Sequence, residues 1–260
     1  MIPKIIHYCW LSDDSYPKEI QRCIDSWKKY LPDYEFIKWD FSRISKSEFK
    51  WVSDAFDNKK YAFAADYIRV YALYNYGGIY LDSDVEVIKS FDDLLKNPYF
   101  FCYEYGRDTI EAAVIGAQKH MLFYKYLLDY YDNQSFVGSD GSLFNRTIPS
   151  LMRDLISAKY SKFSIGNPDE IVDAPNNIFV LPFDYFSPKN FIDGKIYATS
   201  RTYAIHHFQA SWFPKYYQLE QAFWRAIGVR NLMLLWRIRN LFKYGSLRSY
   251  PKVNGKGILK

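Results

Sequence analysis

The order of apolar and polar residues predicts a strand, a helix and a second strand at the start of the chain. Residues 4–10 form a short apolar run that is typical of a buried strand. Residues 17–30 begin with a proline and then repeat apolar side chains at helical spacing, whereas residues 34–39 alternate like a strand. Two strands joined by a helix predict a right-handed parallel unit, and therefore an α/β protein.

The most informative pattern lies between residues 61 and 86. Apolar side chains recur at helical spacing up to residue 74, and Asp66 and Arg69 are three positions apart in that run, so their charged groups are neighbours on one helix face. Gly77 and Gly78 predict the end of the helix, because glycine accepts the left-handed backbone of a C-terminal cap. Residues 79–81 then have the pattern of a short buried strand.

Two carboxylates, Asp82 and Asp84, follow this strand directly. Their position at a strand exit suits a hard divalent cation that keeps several waters and bridges to phosphate oxygens. A calcium loop of the EF-hand kind starts similarly but needs glycine where this chain has Val87. A haloacid-dehalogenase phosphatase motif normally continues to Thr or Val where this chain has Glu86. A further interpretation is that the two aspartates only cap a turn.

The remaining chain alternates short strands and helices. The pattern predicts a short helix within residues 40–59, a helical turn at 92–95, a strand at 99–103, helices at 120–131 and 145–156, and a turn at 138–141. His7 is interpreted as a core histidine. His206 and His207 are adjacent in a predicted strand, so they point to opposite faces and at most one can face a metal ion.

Length and composition favour one large α/β domain. The chain has 260 residues, of which 20% are aromatic, enough to fill a core and leave rings for sugar or base faces. Three cysteines without paired metal spacing indicate a reducing compartment. We find no signal peptide and no run long enough to span a membrane, so we expect a cytoplasmic protein, and no nucleic-acid partner.

Charge is distributed unevenly along the chain. Residues 221–260, called here the basic C-terminal segment, contain 9 Lys or Arg and no Asp or Glu. Since the whole chain has a net charge of +5, residues 1–220 carry +5 minus +9, or −4. We predict a catalytic domain at 1–220 and an amphipathic helical segment at 221–260 that lies on an anionic membrane surface. Packing on the catalytic domain and a dimer contact are the alternatives.

The central stretch resembles glycosyltransferase family 32, the DXD-containing sugar transferases. This family includes bacterial capsule and surface-polysaccharide enzymes and is related to initiating mannosyltransferases and to the clostridial glucosylating toxins. The family pattern is an A-x-x-D-x-x-R helix followed by G-G-x-Y-x-D-x-D. The matching positions here are Asp66, Arg69, Gly77, Gly78, Tyr80, Asp82 and Asp84, with Ala62 one residue before the place that this spacing gives the alanine. Residues 3–10 resemble the family opening, and residues 203–212 resemble its A-I-H-x-x-x-x-S-W segment.

The resemblance implies a GT-A-type fold, an α/β/α sandwich with a mostly parallel sheet. It implies transfer of a hexose from a UDP- or GDP-sugar to a glycan acceptor, including a lipid-linked one, with retention at the anomeric carbon. It also implies roles for individual residues. Trp10 stacks on the nucleotide base, and Asp66 and Arg69 contact the donor. Mn²⁺ or Mg²⁺ is held by Asp84, by Asp82 partly through water, and by His206, with His207 as the fallback; Ser211 and Trp212 reach the diphosphate.

Two positions depart from this resemblance, and one other function competes with the one it implies. After Trp10 the family often continues with a glycine pair, whereas this chain has Leu11, Ser12, Asp13 and Asp14. In the segment 110–118, which resembles the family's N-A-V-I-G-A, Glu111 stands where an amide is common. The competing function is a nucleotide-sugar or glycan binding protein without turnover.

Overall fold

A computed structural model describes residues 1–209, apart from 46–47, 107–108, 175 and 192–193. The predicted division at residue 220 and the basic C-terminal segment lie outside this part of the chain. Among the described residues, none of the helices combines the length and the apolar character that a membrane crossing requires.

A five-stranded sheet forms the centre of the molecule. Strand β1 (Ile5–Cys9) pairs in parallel with β2 (Glu35–Trp39) on one side and with β3 (Gly78–Leu81) on the other. Strand β6 (Val114–Ala117) is antiparallel to β3, and β5 (Tyr99–Phe100) is antiparallel to β6. Four of the five strands therefore point the same way, and the predicted α/β class with a mostly parallel sheet is confirmed.

Helices cover both faces of this sheet because neighbouring residues of β1 point to opposite sides. The Tyr8 ring meets Trp27 of helix α1 (Lys18–Tyr30) with centroids 5.3 Å apart. The His7 ring, on the other face, lies 6.1 Å from Tyr76, the last residue of helix α3 (Tyr61–Tyr76). The predicted helical layers therefore lie on either side of β1.

His7 is a core histidine, as predicted. Its side chain is fully buried, its Nε2 lies 2.8 Å from the Gly77 carbonyl oxygen, and its Nδ1 accepts a hydrogen bond from the Trp39 indole at 3.1 Å. Burial lowers the His7 pKa to about 4, against a smaller opposing effect of the Gly77 bond. The imidazole is therefore neutral, with Nε2 as its donor.

The glycine pair ends α3 and starts β3. Gly78 has a φ of +102°, and a Cβ there would lie 2.7 Å from the Ile5 carbonyl oxygen of β1. A larger residue is excluded both by this backbone conformation and by the neighbouring strand. The helix therefore turns directly into a strand whose residues are all buried.

The rest of the chain forms smaller units around the sheet. Strand β4 (Val85–Val87) pairs antiparallel with β9 (Ala204–His206), and β7 (Lys162–Ile165) pairs in parallel with β8 (Asn177–Val180). The other helices are α2 (Lys50–Asp57), α4 (Leu122–Asp132) and α5 (Ile148–Lys159). The strand predicted at 99–103 is shorter than expected, because after Phe100 the chain leaves β6 for a single bridge to Leu181.

Candidate active site

A cavity of about 910 Å³ opens at the carboxyl ends of β1 and β3. Loop residues that follow these two strands line it, together with one face of α3, the segment before β6 and the end of β9. Adjacent parallel strands deliver their following loops to the same edge of a sheet, which is where α/β proteins bind ligands. Asp82 and Asp84, the predicted metal ligands, are among the residues that line this cavity.

Arg69 joins the two acidic motifs predicted from the sequence. Its Nη2 lies 3.0 Å from Asp66 Oδ1 and 3.2 Å from Asp82 Oδ1, while Nη1 donates to the Ala112 carbonyl oxygen at 2.7 Å. The guanidinium lies over the Tyr80 ring, 4.7 Å from its centroid. Both terminal nitrogens therefore hold protein groups in place, and only the buried Nε lacks a hydrogen-bond partner within the described chain.

Burial governs the ionisation of this cluster. Burial raises the pKa of Asp66 to about 6, although the charge of Arg69 acts in the opposite direction. Burial likewise raises the pKa of Asp82, again opposed by Arg69. For Arg69 the neighbouring Asp82 and Tyr80 outweigh the effect of burial, and its pKa is raised. Arg69 is thus a permanent cation between two carboxyl groups.

His206 reaches the second aspartate of the motif. The β4–β9 pairing sets Val85 opposite His206, which brings Asp84 next to the end of β9. His206 Nε2 lies 3.5 Å from Asp84 Oδ1, and the backbone N–H of Gln209 donates to Asp84 Oδ2 at 2.8 Å. Burial opposes the charged form of Asp84, but His206 and the Gln209 N–H lower its pKa to about 2.

Three side chains meet here in an arrangement that can hold a metal ion. One ligand atom from each of Asp82, Asp84 and His206 lies within 4.8 Å of the other two. Two carboxylate oxygens and one imidazole nitrogen form a donor set that suits Mn²⁺ and, with added waters, Mg²⁺. The residues present therefore fit the predicted divalent cation.

His207 points away from this group. Its Nε2 lies 2.7 Å from Glu86 Oε2, and Lys189 Nζ donates to its carbonyl oxygen at 2.9 Å. The two side chains point to different sides, as expected, although β9 ends at His206 and His207 follows it. The structure places His206, not the fallback His207, beside the aspartates.

Trp10 lies on the cavity wall at the end of β1. Its indole N–H donates to the Asp14 carbonyl oxygen at 3.1 Å, and its ring meets Tyr16 edge-on with centroids 5.0 Å apart. The Ser12 hydroxyl donates to Asp14 Oδ2 at 2.7 Å, so the loop that replaces the family's glycine pair is folded on itself. Trp10 is half-buried and reaches the cavity rather than lying in the core.

The sequence did not predict where Glu111 lies, and the roles of two other residues stay untested. Glu111 is buried, and its Oε2 lies 3.1 Å from His206 Nδ1, a pairing across 95 positions for which the sequence carries no local signal. The segment resembling N-A-V-I-G-A was the nearest pointer to it. Ser211 and Trp212 lie outside the described residues, so their roles stay predictions.

Comparisons with known proteins find similarity to glycosyltransferases. Residues 17–101 match the family described as "Glycosyltransferase sugar-binding region containing DXD motif". The chain is 33% identical over 159 residues to "Mannosyl phosphorylinositol ceramide synthase SUR1" of Saccharomyces cerevisiae, which covers 55% of this chain and 41% of that protein. The chain thus spans about two fifths of the length of this relative.

Two further similarities extend over more of the matched proteins. "Uncharacterized glycosyltransferase L373" of Acanthamoeba polyphaga mimivirus is 28% identical over 224 residues, covering 82% of this chain and 85% of that protein. The solved structure "PaToxG Glycosyltransferase" is 20% identical, with a TM-score of 0.44 over 60% of this chain and 69% of that one. The matched region contains Asp66, Arg69, Asp82 and Asp84. Residues 17–101 are therefore similar to the DXD-containing sugar-binding region of glycosyltransferases, in agreement with the residue pattern.

Proposed function

We propose that this protein is a metal-dependent hexosyltransferase that uses a nucleotide-diphosphate sugar. The observation that supports this most is the meeting of Asp82, Asp84 and His206 on a cavity that Trp10 also lines. A flat ring can stack on the base of a nucleotide-sugar donor, and a cation can neutralise its diphosphate. The Trp10 ring and the three side chains that could hold such a cation line one cavity in this chain.

The proposed ion is Mn²⁺ or Mg²⁺, held by Asp84, by Asp82 partly through water, and by His206. When bound, it would neutralise charge that develops on the leaving diphosphate, which is electrostatic stabilisation of the transition state. Asp82 is held by Arg69, and Asp84 by the Gln209 N–H. The two metal-binding carboxylates are therefore oriented before an ion or a donor binds. Such fixed orientation is what makes charge stabilisation effective.

The proposed donor is a UDP- or GDP-hexose. Trp10 would stack on the base, and Asp66 would accept hydrogen bonds from donor hydroxyls. Arg69 would steady the donor through its Nε, since Nη1 and Nη2 already bind protein oxygens. Ser211 and Trp212 complete the proposed donor contacts at the diphosphate, and transfer is proposed to retain the anomeric configuration.

The acceptor is proposed to enter along the first turns of α3. Tyr61, 45% exposed, and Ala65 line the cavity on the same helix face as Arg69. At 1.5 Å per residue, Tyr61 lies about 12 Å along the axis from Arg69, far enough to hold a second sugar-sized group. Relatives named for mannosyl transfer to inositol phosphoceramide make a glycolipid acceptor a natural candidate beside a surface or capsular glycan.

Metal-dependent release of nucleotide diphosphate tests this proposal. Purified protein is incubated with a panel of UDP- and GDP-sugars with Mn²⁺, Mg²⁺ or EDTA, and free nucleotide diphosphate is measured. We expect Asp82→Asn and Asp84→Asn each to lower turnover by about two orders of magnitude or more, the scale for losing a charge-stabilising group. Glu86→Gln is the matched control, because its carboxylate faces His207 instead. Wild-type turnover that is unchanged in EDTA would contradict the proposal.

The competing function is a nucleotide-sugar binding protein without turnover. A transferase usually hydrolyses its donor slowly in the absence of acceptor, whereas a binding protein does not. Saturable donor binding without any hydrolysis, over the full panel and with either ion, would favour the binding function.

We further propose a cytoplasmic location, with the basic C-terminal segment on an anionic membrane surface. Its 9 Lys or Arg and no Asp or Glu support this. A lipid-linked acceptor would be reached most directly from that surface.

A further inference from the structure

The residues 111–113, just before β6, contact three separate parts of the site. The Ala112 carbonyl oxygen accepts from Arg69 Nη1 at 2.7 Å, and the Ala113 carbonyl oxygen accepts from the backbone N–H of Asp82 at 2.9 Å. The Glu111 side chain reaches His206 of β9. This short segment therefore holds α3, the exit of β3 and the end of β9 in one arrangement.

The Glu111 carboxylate is fixed at both oxygens. Only 4% of the residue is exposed. Its Oε1 accepts a hydrogen bond from the Ala113 N–H at 2.9 Å, and its Oε2 lies 3.1 Å from His206 Nδ1. Its backbone N–H donates to the Cys102 carbonyl oxygen at 2.8 Å, so the main chain is anchored as well. A buried carboxylate with both oxygens bound has little freedom to turn.

This contact determines which nitrogen of His206 faces the aspartates. A carboxylate is only an acceptor, so His206 Nδ1 carries the hydrogen in this pair. Nε2, on the opposite side of the ring, lies 3.5 Å from Asp84 Oδ1. The ring is also covered by Phe208, whose centroid is 4.0 Å away. Glu111 and Phe208 together fix the direction in which Nε2 points.

Glu111 is not itself placed as a ligand. The three side chains whose ligand atoms cluster within 4.8 Å are Asp82, Asp84 and His206. Glu111 lies behind the imidazole, on the Nδ1 side, and its two oxygens are already occupied. A carboxylate behind a ligating histidine orients the ring and raises its basicity as a ligand.

We propose that Glu111 is the positioning residue that sets the tautomer and direction of His206 for the divalent cation. This inference rests on the proposed metal site of the transferase.

Direct titration of Mn²⁺ tests this role without an activity measurement. Free Mn²⁺ is followed by electron paramagnetic resonance during its addition to the full chain, as wild type, Glu111→Gln, Glu111→Ala and Glu104→Ala. We expect Glu111→Ala to weaken Mn²⁺ binding by about 10–100-fold, the usual effect of losing such a partner. Glu111→Gln keeps an oxygen that can accept from Nδ1–H, so its affinity should fall between those of wild type and Glu111→Ala.

Glu104 provides the matched control. It is a second buried glutamate on the same cavity, but its Oε2 accepts from the Thr109 hydroxyl at 2.7 Å instead of contacting His206. Glu104→Ala should bind Mn²⁺ with wild-type affinity. An equal loss in the Glu104 and Glu111 variants would overturn the proposal, because it would reflect general loosening of the cavity.

The remaining outcomes separate this role from the metal site itself. Wild-type affinity in both Glu111 variants, while His206→Ala binds weakly, overturns the Glu111 role and leaves the metal site standing. No Mn²⁺ binding by the wild type overturns the metal site and this inference with it. If circular dichroism shows that Glu111→Ala does not fold, the Mn²⁺ affinity of Glu111→Gln is compared with that of the wild type. An unchanged affinity would then overturn the proposed role of Glu111.

Discussion

Replacing Arg69 by methionine removes the cation between two carboxylates while keeping a similar apolar stem. Arg69 lies 3.0 Å from Asp66 and 3.2 Å from Asp82, and its side chain is 6% exposed. Removing one partner of a buried ion pair costs about 3–5 kcal/mol, because the remaining charge stays buried and unpaired. The free energy of unfolding of a folded domain is only about 5–15 kcal/mol, so Arg69→Met should remove a large part of it.

A double-mutant cycle with Asp66→Asn separates the charge effect from lost packing. Asp66→Asn alone leaves Arg69 paired with Asp82, and we expect it to cost about 1–2 kcal/mol, the scale of one buried hydrogen bond. Simple addition would then put the double variant at about 4–7 kcal/mol. We expect the double variant to be more stable than Arg69→Met, since the unpaired carboxylate at residue 66 is gone.

The assay is urea unfolding followed by tryptophan fluorescence at one fixed pH, with unchanged m-values required. Lys125→Met is the control, because Lys125 forms an exposed i,i+4 pair with Asp129 whose loss should cost about 0.3–0.5 kcal/mol. A cost below about 1 kcal/mol for Arg69→Met, or strict additivity in the cycle, would refute this account of the site.

Three further predictions concern other parts of the molecule. The His7 pKa is lowered from 6.5 to about 4, so the unfolded chain binds this proton before the folded chain does as the pH falls. The stability contributed by neutral His7 is therefore present above pH 6.5 and is lost as the pH falls towards 4. At about 1.4 kcal/mol per pKa unit, the loss amounts to about 3 kcal/mol. Urea midpoints from pH 7 to 4 check this, and an unchanged pH slope in His7→Gln would contradict it. Trp10→Ala should weaken binding of UDP or GDP by about 1–3 kcal/mol, the range for base–aromatic stacking; unchanged affinity in a normally folded variant would exclude stacking. The full chain should float with phosphatidylglycerol vesicles at low salt, and a chain ending at Gln218 should not, since each basic residue near an anionic surface contributes about 1 kcal/mol to binding. Equal flotation of the two chains would exclude the membrane role of the basic C-terminal segment.

Local pattern was sufficient for the elements and the acidic motif. Side-chain periodicity along a helix or strand is a property of neighbouring residues, so β1, α1, β2 and α3 could be predicted with their order and parallel pairing. The Gly77–Gly78 turn followed from backbone conformation alone. Asp82 and Asp84 were identified because they follow a buried strand directly, and the family match over residues 17–101 confirms that motif.

Tertiary structure alone decided which distant residues complete the site. The sequence limited the third metal ligand, near the end of the described chain, to one of two histidines. The β4–β9 pairing places His206 beside Asp84, and His207 contacts Glu86 instead. The sequence carried no sign that Glu111 would lie behind His206, because contacts across 95 positions depend on how whole strands and helices bury their faces against one another. It also left open whether Arg69 would point its donors at a ligand or at protein oxygens. Packing answered that question for Nη1 and Nη2, which bind protein oxygens and hold the buried guanidinium between Asp66 and Asp82.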